Sequence, residues 1–439
     1  MKPVEVASSV AVGIFSAAGL VWGLQYYSRK RQAAKKAFGR ELRQAEYCFA
    51  EDFCLCNNGS FAAVPRPILQ LQQRLIAERE RKPALWYRRQ YDPKWFPSEG
   101  GHNRYAQAVM AVAEFVGAKS ENLVLVENTT TGINCVLQNL PLTKGDKILL
   151  TTHGYGSFIK TVQYVCEKTG SEAVVLEIPV PIESEDDIVK LYADALEQHS
   201  NIKVAVIDHI TCPSAILMPM ERLAALCQQK DVLVLVDGAH APGQVPLNLE
   251  QLPVDFYVGN LHKWLFSPRG CALLWVHPSH HDSIRHVITS HSTYAPTLME
   301  RFCFIGTRDN IPYYCATAAI KFHHDLGGLE AITAYNASLC GWAADMLAKA
   351  WSTEQLAIPA HMRAPFMAIV AVPETDAYPA CPESCGKLMG AVFSHSGVIA
   401  AFSHFNERLW CRLSSHVYNC QDDYYKLRDA VLQVMQIDQ

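Results

Sequence analysis

An α/β fold built on a mostly parallel sheet of seven strands is predicted for the body of this chain, and three observations predict it. Short apolar runs bounded by turn residues recur at 123–126, 147–150, 173–176, 203–207, 232–236, 256–258 and 272–276, as expected of strands buried on both faces. Helical stretches separate most of them, near 132–139, 157–168, 187–198 and 221–230, and such alternation covers a parallel sheet on both sides. Polar clusters follow the strand ends, and the carboxyl edge of such a sheet is where ligands bind. With 439 residues, 49% of them hydrophobic, the chain can bury a large core and divide into two or three domains.

Taken in order, the chain opens with an apolar segment. Residues 4–27 are apolar or small apart from Glu5 and a few serines, and Arg29, Lys30 and Arg31 follow, with Lys35 and Lys36 beyond. Roughly 20 such residues span a bilayer as a helix. A cleaved signal would carry its charges ahead of the apolar part, where only Lys2 stands. The apolar residues surround the helix rather than forming one stripe. Residues 1–31 are therefore expected to form an N-terminal membrane helix, a single-pass anchor whose basic flank leaves the rest of the chain facing the cytosol. The segment resembles signal anchors of the mitochondrial outer membrane, with the endoplasmic reticulum as the alternative.

Residues 32–56 read as a charged helical stalk and an N-terminal arm, with a turn at Asn58-Gly59. Residues 57–325 form the large domain. A long helical pattern at 329–351 then leads into a smaller α/β C-terminal domain, 326–439, with strands at 366–372, 398–402 and 410–413 and helices near 384–392 and 422–435. A net charge of -4 gives no nucleic-acid footprint. The 15 cysteines are scattered, Cys54 and Cys56 are too close for a zinc knuckle, and no histidines group with them, so neither a metal site nor a disulfide framework is expected.

The stretch 232–264 carries the most chemistry. The run 232–236 delivers Asp237, and the run 256–258 delivers Asn260, His262 and Lys263, with Trp264, Leu265 and Phe266 directly after. A lysine forms a Schiff base with a carbonyl cofactor, and an aspartate keeps the pyridine nitrogen of such a cofactor protonated. In this apolar setting the pair points to pyridoxal phosphate, against the ordinary reading of a solvent-facing lysine and a helix-capping aspartate. After the first strand, Asn128-Thr129-Thr130-Thr131-Gly132 either caps its own helix or offers free N–H groups to an anion. No lysine follows the glycine, which argues against a Walker-type nucleotide loop. After the second strand, His153-Gly154-Tyr155 places an aromatic ring where it can stack on a flat cofactor or simply pack. After the fourth, the loop from Asp208 to Ser214 occupies the same edge, with Thr211 and Ser214 placed to touch cofactor or substrate. Near the C-terminus, Arg412 presents a planar fork suited to a carboxylate, although strand arginines most often make surface ion pairs.

The strings VDGAHAPGQV, GNLHKW and NTTTGIN and the segment from Arg412 to Asn419 together resemble the class V aminotransferase group of fold-type I pyridoxal phosphate enzymes. The likeness is to its isopenicillin N epimerase-like and carbon–sulfur lyase branch, and it runs from about Asn57 to the C-terminus. The resemblance implies Lys263 as the Schiff-base lysine and Asp237 at the ring nitrogen. It places Thr130, Thr131 and His262 at the phosphate, Tyr155 stacked on the ring and His240 near the phenolic oxygen. Arg412 would take the α-carboxylate of an amino-acid substrate, with Asn58, Gly59 and Ser60 of the arm close by. A homodimer is implied as well, in which Thr307 reaches the phosphate bound by the neighbouring subunit.

Within that resemblance the reaction begins with Lys263 removing the Cα proton of the substrate. Cysteine desulfurases of the superfamily carry a persulfide-forming cysteine on a mobile loop shortly before the C-terminal arginine motif, and no cysteine lies between Val398 and Trp410. β-Elimination from a cysteine derivative needs no such cysteine and is the expected reaction. Epimerisation would need a second proton donor, for which His153, Tyr155 or His209 stands available, and transamination is a further alternative. A reading from another class is a membrane-tethered binding protein without turnover. The retention of Asp237, His262, Lys263 and Arg412 together argues against it.

Overall fold

The computed structural model describes residues 37–91, 94–96 and 103–436. Its centre is a seven-stranded sheet in the order β2-β8-β7-β6-β5-β3-β4. The strands are β2 (Leu123–Val126), β3 (Lys147–Thr151), β4 (Glu172–Leu176), β5 (Ile202–Asp208), β6 (Leu233–Asp237), β7 (Phe256–Asn260) and β8 (Ala272–Val276). All seven lie where the apolar runs predicted them. β8 alone runs against its neighbours β2 and β7, and the other six are mutually parallel. Their carboxyl ends therefore meet at one edge of the sheet.

The interior strands are apolar throughout because both faces are covered, and the residues alternate between two cores. Val234 and Val236 of β6 join a core with Ile207, Ala224 and Leu261. Leu235 of the same strand joins Val206, Val258 and Phe158 on the other face. Helix Thr129–Leu137 approaches the sheet closely through Gly132, where an added Cβ would stand 2.4 Å from Val258. Helix Arg104–Phe115, which the periodicity did not reveal, buries Tyr105, Ala108, Val109, Val112 and Ala113 against helix Ala316–Asp325.

The C-terminal domain follows the long helix Gly328–Ala350. Its sheet is antiparallel, β11-β12-β9, with β9 at Met367–Ala371, β11 at Ala401–Phe405 and β12 at Arg408–Ser414. The stretch 398–402, expected as one strand, divides at Ala400. β10 (Val398–Ile399) pairs in parallel with β1 (Cys54–Leu55) of the arm, whereas β11 turns to pair with β12. Phe405 faces Arg408 across a two-residue turn whose residues, Asn406 and Glu407, have φ of 47° and 56°. Positive φ at both central positions marks a type I′ hairpin, matched to the twist of the strands it joins.

Of the stretch expected as a stalk, residues 32–36 lie outside the described residues, and from Gly39 onward the chain is docked on the C-terminal domain. Gly39 turns it at φ 86°, with no room for a Cβ beside the Tyr335 hydroxyl 2.7 Å away. In the helix Arg40–Glu46 that follows, Arg40 pairs with Asp422. Arg43 pairs with Asp423 at 2.9 Å and donates to the Phe53 carbonyl. The expected membrane helix, residues 1–31, lies outside the described residues. Among the described residues no helix is long and apolar enough to cross a membrane.

Candidate active site

Five strand ends supply the site. β7 closes on Asn260, and a single helical turn, Leu261–Trp264, carries Lys263 with Leu261, Trp264, Leu265 and Phe266 buried around it. The Lys263 amine lies 3.2 Å from Nε2 of His240. Loss of water pushes its pKa down to about 8, helped by the Arg412 charge and resisted by Cys212 and Asp237. Against an ordinary value of 10.5, the unprotonated amine at pH 7 is enriched about 300-fold. A nucleophilic lysine needs that form. His240, from the turn after β6, is driven well below the usual histidine range by burial and then by Lys263 and Arg412. It is therefore a neutral ring, and its Nδ1 is buried without a partner.

Asp237 ends β6 with 3% exposure. Its Oδ1 accepts the Ala239 N–H at 2.9 Å. Burial raises its pKa, while that N–H and Lys263 pull it down.

Around the expected phosphate site the helix Thr129–Leu137 has Asn128 as its N-cap. Asn128 accepts from the Thr131 N–H at 2.8 Å and from the Thr131 hydroxyl at 3.2 Å, while Asn260 accepts from the Thr129 N–H at 3.1 Å. The Thr130 hydroxyl sits 3.2 Å from that of Ser157, in the first turn of helix Gly156–Thr169. Two helix N-termini thus bring their hydroxyls together, a favourable arrangement for an anion. Thr131 serves the cap, and Thr130 with Ser157 lines the niche. His262 donates from Nδ1 to the Cys271 carbonyl at 2.9 Å. Burial leaves its ring neutral, with a pKa of about 4. Its Nε2 becomes a donor only on protonation, which a phosphate beside it would favour.

Tyr155, expected to stack on the ring, is 48% exposed. The inward-facing ring of the same loop is His153, buried, 2.8 Å from the Ser214 hydroxyl and neutral with a pKa of about 4.

At the substrate end, Arg412 of β12 is 4% exposed. Its guanidinium donates to the Cys212 carbonyl at 2.6 Å, to Asn57 Oδ1 at 2.8 Å and to the Ser60 hydroxyl at 3.2 Å. The Cys212 sulfur lies 3.3 Å away. Among the described residues its Nε has no partner and no carboxylate contacts it. The expectation for Asn58 changes here, because both ends of its amide are engaged elsewhere. Its nitrogen donates to the Ser414 carbonyl and to Asn419, and its oxygen accepts from Tyr418. The arm residues that touch Arg412 are Asn57 and Ser60. Thr307 lies exposed in its loop. The next residue, Arg308, pairs with Glu127, directly before the Asn128 cap, so this loop is fastened to the phosphate niche.

Cys212, Asn57 and Ser157 are additions that sequence reasoning did not assign roles. Cys212 and Arg412 are 200 residues apart, and Asn57 and Arg412 are 355. The one available signal was their position beside residues already singled out.

The donor set fits pyridoxal phosphate. A buried amine with a lowered pKa, an interior aspartate, paired hydroxyls at two helix starts and a ring nitrogen on His240 without a partner among the described residues are the groups that this cofactor requires. A likeness to known proteins agrees. The chain is 28% identical over 409 residues to an L-cysteine desulfhydrase of Arabidopsis thaliana, covering 86% of this chain and 87% of that one. It is 25% identical over 410 residues to a hercynylcysteine sulfoxide lyase of Schizosaccharomyces pombe, covering 91% and 98%. The fold superposes on a cysteine desulfurase from Thermococcus onnurineus NA1 with a TM-score of 0.71 at 18% identity, covering 90% of this chain and 97% of that structure. The family described as Aminotransferase class-V matches residues 98–427, and with its lysine, aspartate and arginine meeting at one sheet edge this chain belongs to the class-V aminotransferase family.

Proposed function

We propose that this protein is a pyridoxal phosphate enzyme that breaks the carbon–sulfur bond of a cysteine derivative by β-elimination. The observation that carries this reading is Arg412: a buried guanidinium with no acidic partner among the described residues, close enough to Lys263 for its charge to act on the amine. Such a group calls for a carboxylate brought in by a ligand. The cofactor, when bound, supplies the electron sink that makes a Cα proton removable. The chain's own residues do the rest. Arg412, steadied by Asn57 and Ser60, holds the substrate carboxylate. Asp237 would hold the proton of the cofactor's ring nitrogen, and Lys263 would accept the Cα proton. The sulfur group leaves from Cβ, and water completes the balance to pyruvate, ammonia and a thiol, or a sulfenic acid from a sulfoxide substrate.

Two features favour elimination over its rivals. The β11–β12 hairpin turns in two residues before Arg412, which supports a mechanism without a mobile cysteine loop at that place. The ring of His209, one candidate for the second proton donor of an epimerase, is bonded to the Tyr257 hydroxyl at 2.8 Å. The relatives named for cysteine desulfhydrase and sulfoxide lyase activity support the same choice. The test is to incubate the purified protein with cysteine and cysteine sulfoxide conjugates and to measure pyruvate and ammonia. Racemised substrate without pyruvate would overturn the lyase reading. A protein with no visible cofactor absorbance, or one unchanged in Lys263→Ala, would overturn the enzyme reading.

The homodimer and the anchor belong to the same proposal. Ser290 donates to the Phe304 carbonyl at 2.9 Å and so holds the segment bearing Ile288 and Tyr294, 53% and 83% exposed, beside the Thr307 loop. An apolar surface next to a site component supports a shared interface. The apolar segment within residues 1–31, followed by its basic flank, supports a single-pass anchor in the mitochondrial outer membrane or the endoplasmic reticulum, with the enzyme facing the cytosol. Imaging of the full chain against one beginning at Ala37 tests this, and an unchanged distribution would sink it.

A further inference from the structure

Behind the cofactor-facing aspartate lies a second carboxyl that the chemistry above leaves unused. Asp208 closes β5 as Asp237 closes β6, and the two stand opposite each other in the parallel ladder. Partners in register on adjacent parallel strands project to the same face of the sheet, with the strands about 4.8 Å apart. Both residues are buried, at 2% and 3% exposure. Asp237 Oδ1 receives the Ala239 N–H, whereas Asp208 Oδ2 has no partner.

The surroundings of the two differ in sign. Asp237 has the Ala239 N–H and the Lys263 charge in favour of its ionised form. The side chains that bear on Asp208 are acids, and against them stands only a hydrogen bond from its own backbone N–H. Its pKa is raised well above the usual carboxylate range by burial first, then by Asp237 and the Cys212 thiol. Tyr192, on helix Glu185–Gln198, is fully buried with an unpartnered hydroxyl, and its own pKa is raised by burial and then by Asp208. Tyr257 of β7 is raised by burial and then by Asp237, and its hydroxyl is bonded to Nδ1 of a neutral His209. Two carboxyls buried at facing positions of adjacent strands do not both ionise. One proton remains, and the balance of the neighbouring side chains places it on Asp208.

We propose that Asp208 is a positioning residue: a carboxylic acid that keeps its proton at neutral pH and donates it in a hydrogen bond to the Asp237 carboxylate. The pair then presents a single negative charge to the ring nitrogen of the cofactor. A donor on Asp237 makes it a weaker base, so it stays ionised opposite a protonated ring nitrogen deep in an apolar sheet. The inference rests on the assignment of Asp237 to that nitrogen only for its spectroscopic consequence.

Two measurements on the full chain test it. Infrared spectroscopy at pH 7, with and without cofactor, is expected to reveal a protonated-carboxyl carbonyl band that disappears in Asp208→Asn. The visible absorbance of the holoenzyme is then titrated toward acid. Asp208→Asn, whose amide still donates, is expected to keep the wild-type midpoint. Asp208→Leu, which removes the donor, is expected to raise it by about one pH unit. An ionised Asp208 predicts the opposite sign, because losing its charge lowers the midpoint in both variants. A missing infrared band, a downward shift in either variant or an unmoved midpoint in a folded Asp208→Leu overturns the proposal. Should Asp208→Leu not fold, the band and the Asp208→Asn midpoint still decide. A wild-type protein with no visible band at all would instead sink the cofactor assignment, while the infrared reading without cofactor would stand.

Discussion

Lys263 and Arg412 are two cations in one enclosure, and they answer to different demands. Lys263 gives up its proton more readily under burial, with a pKa of about 8. Arg412 keeps its charge because guanidinium does not deprotonate in proteins. The rate at which the cofactor-free protein captures pyridoxal phosphate is therefore expected to rise with pH and level off above about 8, since only the unprotonated amine reacts. Stopped-flow absorbance measures it, and a rate flat from pH 6 to 9 would contradict the depressed pKa. Arg412→Lys loses the planar fork that Asn57, Ser60 and the Cys212 carbonyl orient. We expect KM for a cysteine substrate to rise about 30- to 100-fold, the equivalent of roughly 2–3 kcal/mol for hydrogen bonds to a charged group, with the cofactor spectrum unchanged. At this scale the sequence revealed the acid, the lysine and the arginine, because each follows a strand or sits in a motif. It did not reveal that Asn57 rather than Asn58 touches Arg412. That choice depends on Ser414, Tyr418 and Asn419 claiming the amide of Asn58, contacts more than 350 residues away in the chain.

Among the elements, the strands were legible and several helices were not. β2 and β8 have the limits predicted for them because each is an unbroken apolar run ended by a polar or turn residue. Helix Arg104–Phe115 escaped because its buried face mixes Ala108 and Ala113 with Tyr105, Val109 and Val112, while the apolar Met110 stands exposed beside them. The helix that matters most for the site, Thr129–Leu137, depends on a glycine for its depth. Gly132→Ala would drive a methyl into Val258 at 2.4 Å, tilting the helix start and its hydroxyls away from the niche. We expect a loss of about 1–3 kcal/mol in stability, seen in denaturant unfolding, and a cofactor Kd at least tenfold weaker. An unchanged Kd would show that the niche does not depend on this approach.

Across the whole molecule, the loop bearing Thr307 is fastened through Arg308 and Glu127 to the phosphate niche but leaves Thr307 itself exposed. If that hydroxyl serves the neighbouring subunit, Thr307→Val should weaken cofactor binding. A mixture of Lys263→Ala and Thr307→Val chains should form mixed dimers in which one site lacks both groups and the other has both. Activity recovered on mixing, beyond the sum of the separate chains, is the expected result, and sedimentation as a monomer would exclude it. This level could be proposed only through the resemblance of the loop to its family, because the residues of the proposed interface, Ile288 and Tyr294 among them, carry no periodic pattern.

The docking of the arm through Arg40 and Arg43 onto Asp422 and Asp423 also fixes the length of a leash. With the proposed anchor ending at residue 31 and the chain seated on the C-terminal domain from Gly39, only a few residues remain to be paid out. Fully drawn, the eight steps from residue 31 to residue 39 reach about 28 Å. The enzyme would then ride low over the bilayer with its C-terminal domain toward the lipid and little freedom to turn over. Substrates gathered at a membrane surface would meet it sooner than those arriving from the bulk.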